Sequence, residues 1–387
     1  MAMLQVCVAR LRERWPQARI AILTDAPALL ERLAPGTEPV PAAGRYAWLR
    51  QPDATDRPTP ERRLARRVAP PAARALLAFE SRRRGRAGDG LNACVRALLD
   101  ADLFLLSGRG GLTDAFADEA IAILEELALA HAVGVPTALL GQGIGPLGPE
   151  LSRRAAAVLP TVGLIAVREP LVAPALLAQL GVPAERVVVT GDDAIELALH
   201  EPGRFAEQSR GTLALSLRVA DYAGIGAVEA TWIGATLRGL AERLGVKLAP
   251  LALSRHPAEA DMAALSELAG EPVAAPADPA TAIERIGAAR TLVTGTYHAA
   301  VFALAQGIPT VCLTASPYYD AKFEGLRAQF GAGCEVIPAL APGADTRLAA
   351  AAERLWAAAP ELAAPLRAAA ARQAASGRAA YARLQAR

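Results

Sequence analysis

Short apolar runs alternate with amphipathic stretches along the first half of the chain. The opening residues, MAMLQVCVARLRERW, have the spacing of an amphipathic helix. Buried strands are predicted over 19–23, 101–106, 136–140, 163–167 and 186–190. Helices are predicted near 72–83, over about 115–133 and 149–158, and up to about residue 180. A repeated order of strand, turn and helix indicates a parallel sheet with helices on both faces.

An Arg- and Pro-rich stretch interrupts this order. Residues 45–88 hold few large apolar side chains before Leu76. We therefore predict a loop before the 72–83 helix and a second loop over 85–90.

The second half of the chain repeats the alternation. Strands are predicted over 212–218, 247–253, 291–294 and 309–313. Helices are predicted over 228–244, 258–268, 281–288, about 297–306 and the Ala-rich 346–387. The polar stretch 201–210 is typical of a linker and divides the chain into residues 1–205 and 206–387. The predicted fold is α/β, with two Rossmann-like domains whose parallel sheets face a cleft.

Composition narrows the class of protein. The 387 residues are 53% hydrophobic and 21% charged, which excludes a disordered chain, and the net charge of +2 does not indicate a nucleic-acid partner. The four cysteines lie far apart, and neither they nor the histidines have the spacing of a metal site. We therefore expect no metal and a reducing, cytoplasmic setting. No signal-peptide pattern and no uninterrupted apolar run of about 18 residues is found, so no integral membrane segment is expected.

The segment that follows the 291–294 strand carries the most informative candidate chemistry. The strand ends at Gly295, and His298 lies in the first turn of the next helix, beside Thr296 and Tyr297. Free backbone N–H groups and the helix dipole make such a turn favourable for an anion. A histidine at the same place can also move protons as a general acid or base.

Basic and aromatic residues offer further contacts for an anionic ligand. Arg168 and Arg218 lie at the ends of predicted strands, where a guanidinium can bind a carboxylate or phosphate through two hydrogen bonds. Lys322 lies close in sequence to Tyr318 and Tyr319, whose rings suit a sugar or a base.

Two Gly-rich turns and an acidic strand end complete the candidates. The turn GRGGLTD spans 108–114 and contains Gly110, Gly111 and Asp114. The turn GQGIGP spans 141–146 and contains Gln142, whose amide can bind a polar ligand. Asp192 follows the 186–190 strand. Turns of this kind let the backbone approach a phosphate or sugar closely.

These motifs together resemble those of the polysaccharide pyruvyl transferase family. The resemblance is carried in chain order by GRGGLTD at 108–114, GQGIGP at 141–146, AVRE at 166–169, GDDA at 191–194, and residues 295–309 with 319–325. It implies a two-domain fold similar to GT-B glycosyltransferases. It also implies transfer of a pyruvyl group from phosphoenolpyruvate to a pair of sugar hydroxyls as a ketal, during the synthesis of bacterial cell-surface polysaccharide or glycoconjugate.

The resemblance also assigns roles to residues. His298 is expected to be the catalytic acid/base. The residues expected to bind the donor are Arg168, Gly295, Thr296, Tyr297, Lys322 and Arg218. The residues expected to bind the acceptor are Gly110, Gly111, Asp114, Gln142 and Asp192. No cofactor is expected beyond phosphoenolpyruvate as co-substrate. The expected partners are a sugar or polysaccharide acceptor, free or lipid-linked, and the expected location is the cytoplasm, with a peripheral position at the inner face of the membrane as an option.

Two departures from the family pattern keep alternatives open. The family commonly has Arg-Leu-His where this chain has Thr296, Tyr297 and His298. Family members also usually begin with a strand and a Gly-Asp turn, so the first strand is expected to be missing here and the start to be misassigned or truncated. A GT-B-like glycosyltransferase that uses a nucleotide sugar, and a non-catalytic sugar-binding relative, are the alternative functions. The sequence does not specify the oligomeric state.

Overall fold

The computed structural model describes residues 1–42, 60–84, 89–200, 211–254 and 259–387. Its α-helices are α1 (Ala2–Arg14), α2 (Pro27–Leu33), α3 (Pro60–Ala65), α4 (Pro70–Arg84), α5 (Asp89–Leu99), α6 (Ala117–Ala132), α7 (Pro149–Val158), α8 (Ala173–Gln179), α9 (Ala194–His200), α10 (Ala227–Leu244), α11 (Asp261–Ala269), α12 (Pro279–Gly287), α13 (Tyr297–Ala305), α14 (Pro317–Phe330) and α15 (Ala344–Ala382). Its strands are β1 (Ala21–Thr24), β2 (Glu38–Pro41), β3 (Phe104–Leu106), β4 (Thr137–Gln142), β5 (Leu164–Val167), β6 (Val187–Val189), β7 (Thr212–Ser216), β8 (Lys247–Pro250), β9 (Ala289–Thr294), β10 (Thr310–Thr314) and β11 (Cys334–Pro338).

The chain forms two compact units. Unit N comprises Met3–Val167, Ala173–Val189 and Arg378–Arg387. Unit C comprises Met1–Ala2, Arg168–Val172 and Thr190–Gly377. The predicted linker at 201–210, and with it the predicted boundary at 205/206, lies outside the described residues.

Unit N is built on a parallel sheet with strand order β3-β4-β5-β6. Leu139 of β4 and Ile165 of β5 are paired in register and pack with apolar side chains of α6 and α7. Leu140 packs in a separate core cluster that contains Cys7 of α1 and Tyr381 near the end of α15. Because side chains alternate across a strand, neighbouring residues of β4 bury against helices on opposite faces of the sheet.

A second, two-stranded sheet in unit N pairs β1 with β2 in parallel. Within the described ranges, neither strand hydrogen-bonds to the sheet of β3 to β6. The predicted 19–23 strand is thus present as β1, but it lies outside the main sheet.

Unit C is built on a five-stranded parallel sheet with the order β11-β10-β9-β7-β8. Ile233 and Leu237 of α10 share one core cluster with Leu215 of β7 and Val293 of β9. The helix α13 directly follows β9 and is buried along nearly its whole length. The two parallel sheets confirm the predicted α/β class.

The sequence pattern missed several elements and was wrong about parts of two predicted loops. The unpredicted elements are α2, α3, α5, α9, α14, β2 and β11. Within the Arg- and Pro-rich stretch, α3 forms where a loop was predicted, and α5 already begins at Asp89 inside the predicted 85–90 loop. Residues 43–59 and 85–88 lie outside the described part of the chain. Ala65 of α3 is buried in one cluster with Leu77 of α4 and Val95 of α5, so packing stabilises α3 in a stretch whose own apolar residues are too few to indicate a helix.

No helix in the described ranges is long and apolar enough to cross a membrane.

Candidate functional site

Arg168 follows β5 directly and belongs to unit C, where its side chain is almost fully buried. One guanidinium nitrogen, Nη1, donates to Oδ2 of Asp192 at 3.3 Å. The guanidinium carbon lies 4.3 Å from the centre of the Tyr297 ring, which is within the range of a cation–π contact. The other two nitrogens, Nε and Nη2, have no hydrogen-bond acceptor within the described part of the chain. These two form the side-on edge of the guanidinium, the edge that suits a bidentate anion.

Asp192 connects this arginine to the start of α9 and to the histidine. Its Oδ1 accepts a hydrogen bond from the backbone N–H of Ala194 at 2.9 Å. Its Oδ2 is the atom that contacts Arg168, and it also lies 3.8 Å from Nε2 of His298. The carboxylate is therefore held at both oxygens, between a helix start and a buried cation.

His298 lies in the first turn of α13, where the sequence placed it. Its ring is 5.5 Å from that of Tyr297 and 6.2 Å from that of Phe302, measured between centroids. Burial, and then the positive charges of Arg168 and Lys322, lower the pKa of His298 to about 4, although Asp192 acts in the opposite direction. The imidazole is therefore neutral at neutral pH, with Nε2 free of a hydrogen-bond partner among the described residues. The side chain is 38% exposed, so the ring remains open to a ligand.

Lys322 of α14 lies among three tyrosine rings. Its Nζ is 3.5 Å from the ring centre of Tyr318 and 5.4 Å from those of Tyr297 and Tyr319. Burial, followed by repulsion from Arg168, lowers the pKa of Lys322 well below its ordinary value. The nearby Glu324 pairs instead with Arg327, at 2.6 Å. Lys322 thus places a second basic group beside Arg168. Burial disfavours its protonated form, whereas the aromatic faces and a bound anion favour it.

Gly295 and Thr296 form the turn between β9 and α13. The N–H of Gly295 donates to the carbonyl of Ser216 at 2.9 Å, and a Cβ at residue 295 would lie 3.0 Å from Cδ1 of Ile225. The Thr296 hydroxyl accepts from Oγ of Ser216 at 3.3 Å and is buried. The Thr296 side chain, at the position where the family commonly has arginine, is therefore engaged in a hydrogen bond with Ser216 of β7.

Arg218 follows β7 and is held by acidic and phenolic partners. It pairs with Glu259, and its Nε lies 3.1 Å from Oδ2 of Asp261. Its Nη1 donates to the hydroxyl of Tyr222 at 2.8 Å. Burial opposes the charge, but Asp261 and the other partners outweigh it and raise the pKa of Arg218 above its ordinary value. Tyr222, Glu259 and Asp261 were not predicted from the sequence, because none of them lies in a recognisable motif.

The Gly-rich turns of unit N lie side by side after β3 and β4. The N–H of Gly145 donates to the carbonyl of Leu112 at 2.8 Å, and that of Asp114 to the carbonyl of Pro146 at 3.1 Å. Gly111 is packed closely, since a Cβ there would be 3.0 Å from Cδ of Glu119. Gly110 and Asp114 lie in the same turn, and the Asp114 side chain is exposed.

Gln142 ends β4 beneath these turns and is fully buried. Its amide nitrogen donates to the carbonyls of Leu106, at 3.0 Å, and Leu140, at 2.8 Å. The side chain therefore braces the ends of two neighbouring strands, and its amide nitrogen is already engaged.

The structure brings part of the predicted site together. Arg168, Asp192, Tyr297, His298 and Lys322 form one group in unit C, which we call the Arg168 cluster. Asp192, which was predicted to bind acceptor, lies here with the predicted donor residues. The other four predicted acceptor residues lie in unit N. The described residues contain no group of His, Cys, Asp or Glu side chains that could hold a metal ion.

The Arg168 cluster has the chemistry of an anion site with a proton carrier. Arg168 carries a buried positive charge, and the basic Lys322 lies close to it. A ligand with several negative charges would be favoured here and would in turn favour the protonated form of Lys322. A neutral imidazole with an unpaired nitrogen lies next to them and can accept a proton.

A family model described as polysaccharide pyruvyl transferase matches residues 1–317 of the chain. This match covers most of the chain, including the Gly-rich turns of unit N and all but one residue of the Arg168 cluster, Lys322. A search of curated proteins finds no sequence that matches the chain.

Several solved structures are similar over nearly the whole chain. The glycotransferase of kitacinnamycin is 15% identical, with 97% of this chain and 93% of that chain covered and a TM-score of 0.53. The UDP-GlcNAc 2-epimerase from Methanocaldococcus jannaschii is 12% identical, with coverage of 91% and 88% and a TM-score of 0.54. The UDP-GlcNAc 2-epimerase from Neisseria meningitidis, bound to UDP-GlcNAc, is 10% identical, with coverage of 98% and 94% and a TM-score of 0.54. These similarities confirm the predicted fold, similar to GT-B glycosyltransferases, and they concern the fold alone.

Proposed function

Because the chain belongs to the polysaccharide pyruvyl transferase family, we propose that it transfers a pyruvyl group from phosphoenolpyruvate to two hydroxyls of a sugar acceptor. The product is a ketal on a polysaccharide or glycoconjugate of the bacterial cell surface. The acceptor is free or lipid-linked, and the location is the cytoplasm, including its membrane surface.

The observation that carries this proposal is the unpaired edge of Arg168. A buried N–H without an acceptor costs about 1–3 kcal/mol, and Arg168 has two such nitrogens, Nε and Nη2. A carboxylate or phosphate bound to that edge would satisfy both at once. Phosphoenolpyruvate carries both groups, and Lys322 is a second basic group, whose protonated form the bound donor would favour, for the one that Arg168 does not hold.

In this reaction the main contribution of the protein is proton transfer rather than covalent catalysis. The methylene carbon of the donor gains a proton, and the neighbouring carbon becomes electrophilic. Two acceptor hydroxyls then form bonds to that carbon, while its bond to the phosphate oxygen breaks. One hydroxyl proton returns to the group that protonated the methylene carbon. The other hydroxyl proton leaves with the phosphate.

We assign the proton transfers to His298. Its neutral imidazole can take a proton from an acceptor hydroxyl, and in the protonated form it can deliver one to the methylene carbon. The bound donor adds negative charge and favours the protonated form. Asp192, 3.8 Å from Nε2 and hydrogen-bonded to Arg168, positions both side chains in this scheme.

The remaining predicted residues have supporting roles in this proposal. Gly295, Thr296 and Tyr297 shape the donor site at the start of α13. Arg218 is already paired with two carboxylates, so we place it at the periphery of the donor site. Gly110, Gly111, Asp114 and Gln142 remain the proposed acceptor residues.

The second candidate is a glycosyltransferase that uses a nucleotide sugar. Thr296 favours it, since the arginine that the family commonly has at this position is absent and the donor contact is changed. The similar epimerase from Neisseria meningitidis binds UDP-GlcNAc on the same fold. A third candidate, a sugar-binding relative without catalysis, predicts no turnover with any donor.

Calorimetric titration separates the first two candidates. Phosphoenolpyruvate and a panel of nucleoside diphosphates are titrated into the wild-type chain and into Arg168→Ala. The matched control is Arg290→Ala, which removes another unit C arginine that stacks on a ring, 5.0 Å from the centre of Trp356. Binding of phosphoenolpyruvate that is lost only in Arg168→Ala supports pyruvyl transfer. Binding of a nucleoside diphosphate in its place contradicts it and favours the second candidate.

A further inference from the structure

Positive charge in unit N is concentrated in one short segment. Residues 60–84, which form α3, α4 and their connection, contain eight arginines and two glutamates, a net charge of +6, whereas the whole chain carries only +2. The rest of the chain therefore carries a net negative charge. The positive charge is local to this segment and does not follow from the overall abundance of arginine. Ion pairs of Arg66 with Glu125 and of Arg83 with Glu61 offset part of this local excess, and the remainder favours a positive field around the segment.

One side of α4 is buried and the other is open to solvent. Ala73 and Leu77 pack in the core with Val95 and Leu98 of α5. The side chains that remain exposed on α3, α4 and their connection include Leu64, Arg67, Ala75, Phe79, Arg82 and Arg83. We call this group the α3–α4 surface.

The α3–α4 surface combines large apolar side chains with cations. Phe79 is 53% exposed and Leu64 is 49% exposed, so both present apolar surface to solvent next to these cations. The guanidinium carbon of Arg83 lies 6.0 Å from the centre of the Phe79 ring, and Arg83 also pairs with Glu61 of α3 at 3.0 Å. Within the described ranges, Arg67 and Arg82 have no ion-pair partner.

We propose that the α3–α4 surface docks the protein on an anionic lipid bilayer. Exposed arginines attract acidic headgroups, and arginine stems tolerate the boundary between headgroups and acyl chains. A phenylalanine and a leucine beside them can enter that boundary, as on helices that lie in the plane of a membrane. A nucleic acid would also be attracted by the positive charge, but it would leave these apolar side chains without a role. A bilayer accounts for both the basic and the apolar side chains of the α3–α4 surface.

Vesicle flotation of the full chain tests this inference without substrate, so its outcome is independent of the proposed reaction. The vesicles contain phosphatidylcholine alone or with about 30 mol% phosphatidylglycerol. The charge variant is Arg67→Glu/Arg82→Glu, and the apolar variant is Phe79→Ser. The matched control, Arg243→Glu/Arg372→Glu, makes the same change of charge on exposed arginines of α10 and α15. Circular dichroism melting confirms that each variant is folded.

The wild-type chain is expected to float with anionic vesicles and to be released by about 0.5 M salt. The charge variant should bind at least about tenfold more weakly, the apolar variant several-fold more weakly, and the control within about twofold of wild type. Equal binding to neutral vesicles, or no binding to either, overturns the proposal. The proposal is also overturned if the control variant loses as much vesicle binding as the charge variant. It is likewise overturned if the chain binds a duplex oligonucleotide but does not bind vesicles.

Discussion

Arg168 and Arg218 are both buried arginines at strand ends of unit C, but their partners differ. Arg218 has two carboxylates within ion-pair distance and a tyrosine hydroxyl at 2.8 Å. Arg168 has one carboxylate, at 3.3 Å, and two nitrogens without an acceptor. Arg218 is therefore neutralised by two carboxylates, although its Nε makes no hydrogen bond among the described residues. Arg168 has a single carboxylate and two unpaired nitrogens, which leaves more capacity for a ligand.

Replacement of Arg168 by lysine should therefore abolish donor binding despite the retained charge. A lysine cannot present two parallel N–H groups, so we expect kcat/KM to fall by about 10²-fold or more. Steady-state kinetics with phosphoenolpyruvate measures this, with Arg290→Lys as the control. Activity of Arg168→Lys within about threefold of wild type would contradict the bidentate contact.

His298 should act on the chemical step and leave donor affinity nearly unchanged. We expect His298→Gln to lower kcat by about 10²–10⁴-fold, the usual contribution of a general acid or base. Calorimetry on the same variant should give a phosphoenolpyruvate Kd within about threefold of wild type. Unchanged turnover would show that another group moves the protons.

The protonation of His298 can be followed directly. Its pKa of about 4 predicts that the ring stays neutral as the pH falls through about 6, where an unperturbed histidine already gains a proton. Nuclear magnetic resonance of the imidazole signals, assigned by comparison with His298→Gln, measures this. Phosphoenolpyruvate should shift the midpoint upward, since added negative charge favours the imidazolium. A midpoint above about 6 without donor would refute the lowered pKa.

At the scale of elements, α14 is fixed against the turn that follows Arg168. Glu169 accepts hydrogen bonds from the N–H groups of Leu171 at 2.7 Å and Val172 at 2.9 Å. Gly325 of α14 lies against this side chain, and a Cβ there would be 2.4 Å from Cβ of Glu169. The same helix carries Lys322 into the Arg168 cluster, so this close approach positions two of its cations.

Two glycine-to-alanine changes within helices should therefore have opposite effects. Gly325→Ala should lower the free energy of unfolding by about 1–3 kcal/mol, because the added methyl group overpacks the contact with Glu169. Gly239→Ala on α10 meets only the end of the Arg243 side chain, at 3.9 Å, and should raise the free energy of unfolding by about 0.5–1 kcal/mol. Urea denaturation measures both. Equal stability of the two variants would mean that α14 can move away from Glu169 at little cost.

At the scale of the whole molecule, the four cysteines, none of which forms a disulfide, are divided between the two units. Cys7 and Cys94 are buried in unit N, whereas Cys312 and Cys334 are buried in unit C with their sulfurs 3.8 Å apart. Burial raises the pKa of Cys312, so its thiol is neutral and unreactive in the folded protein.

Thiol titration should therefore report the unfolding of each unit. We expect almost no reaction with an aromatic disulfide reagent in the native chain and four reactive thiols in denaturant. In a Cys7→Ser/Cys94→Ser variant, the remaining two thiols follow unit C alone. Fast reaction of the native chain, or fewer than four thiols after unfolding without a reductant, would contradict buried free cysteines.

The sequence by itself determined the alternation of strands and helices and, through it, the family and the fold. Apolar runs of strand length predicted β4, β5, β7, β9 and β10 within a few residues, because a strand buried on both faces must be continuously apolar. His298 was correctly placed in the first turn of a helix, since a glycine after a strand and an apolar run beyond it mark that turn. Local chemistry was sufficient for each of these predictions.

Only the tertiary structure decided which of the candidate site residues lie in contact with one another. Asp192 and His298 are separated by more than a hundred residues, and no local pattern indicates that they lie 3.8 Å apart. Likewise, Arg218 and Thr296 resembled donor ligands in sequence, but their partners across neighbouring strands and loops occupy them. The unpaired edge of Arg168 is visible only once every neighbour has been placed. A hydrogen bond depends on atoms brought together by packing, whereas the elements themselves depend on the order of residues along the chain.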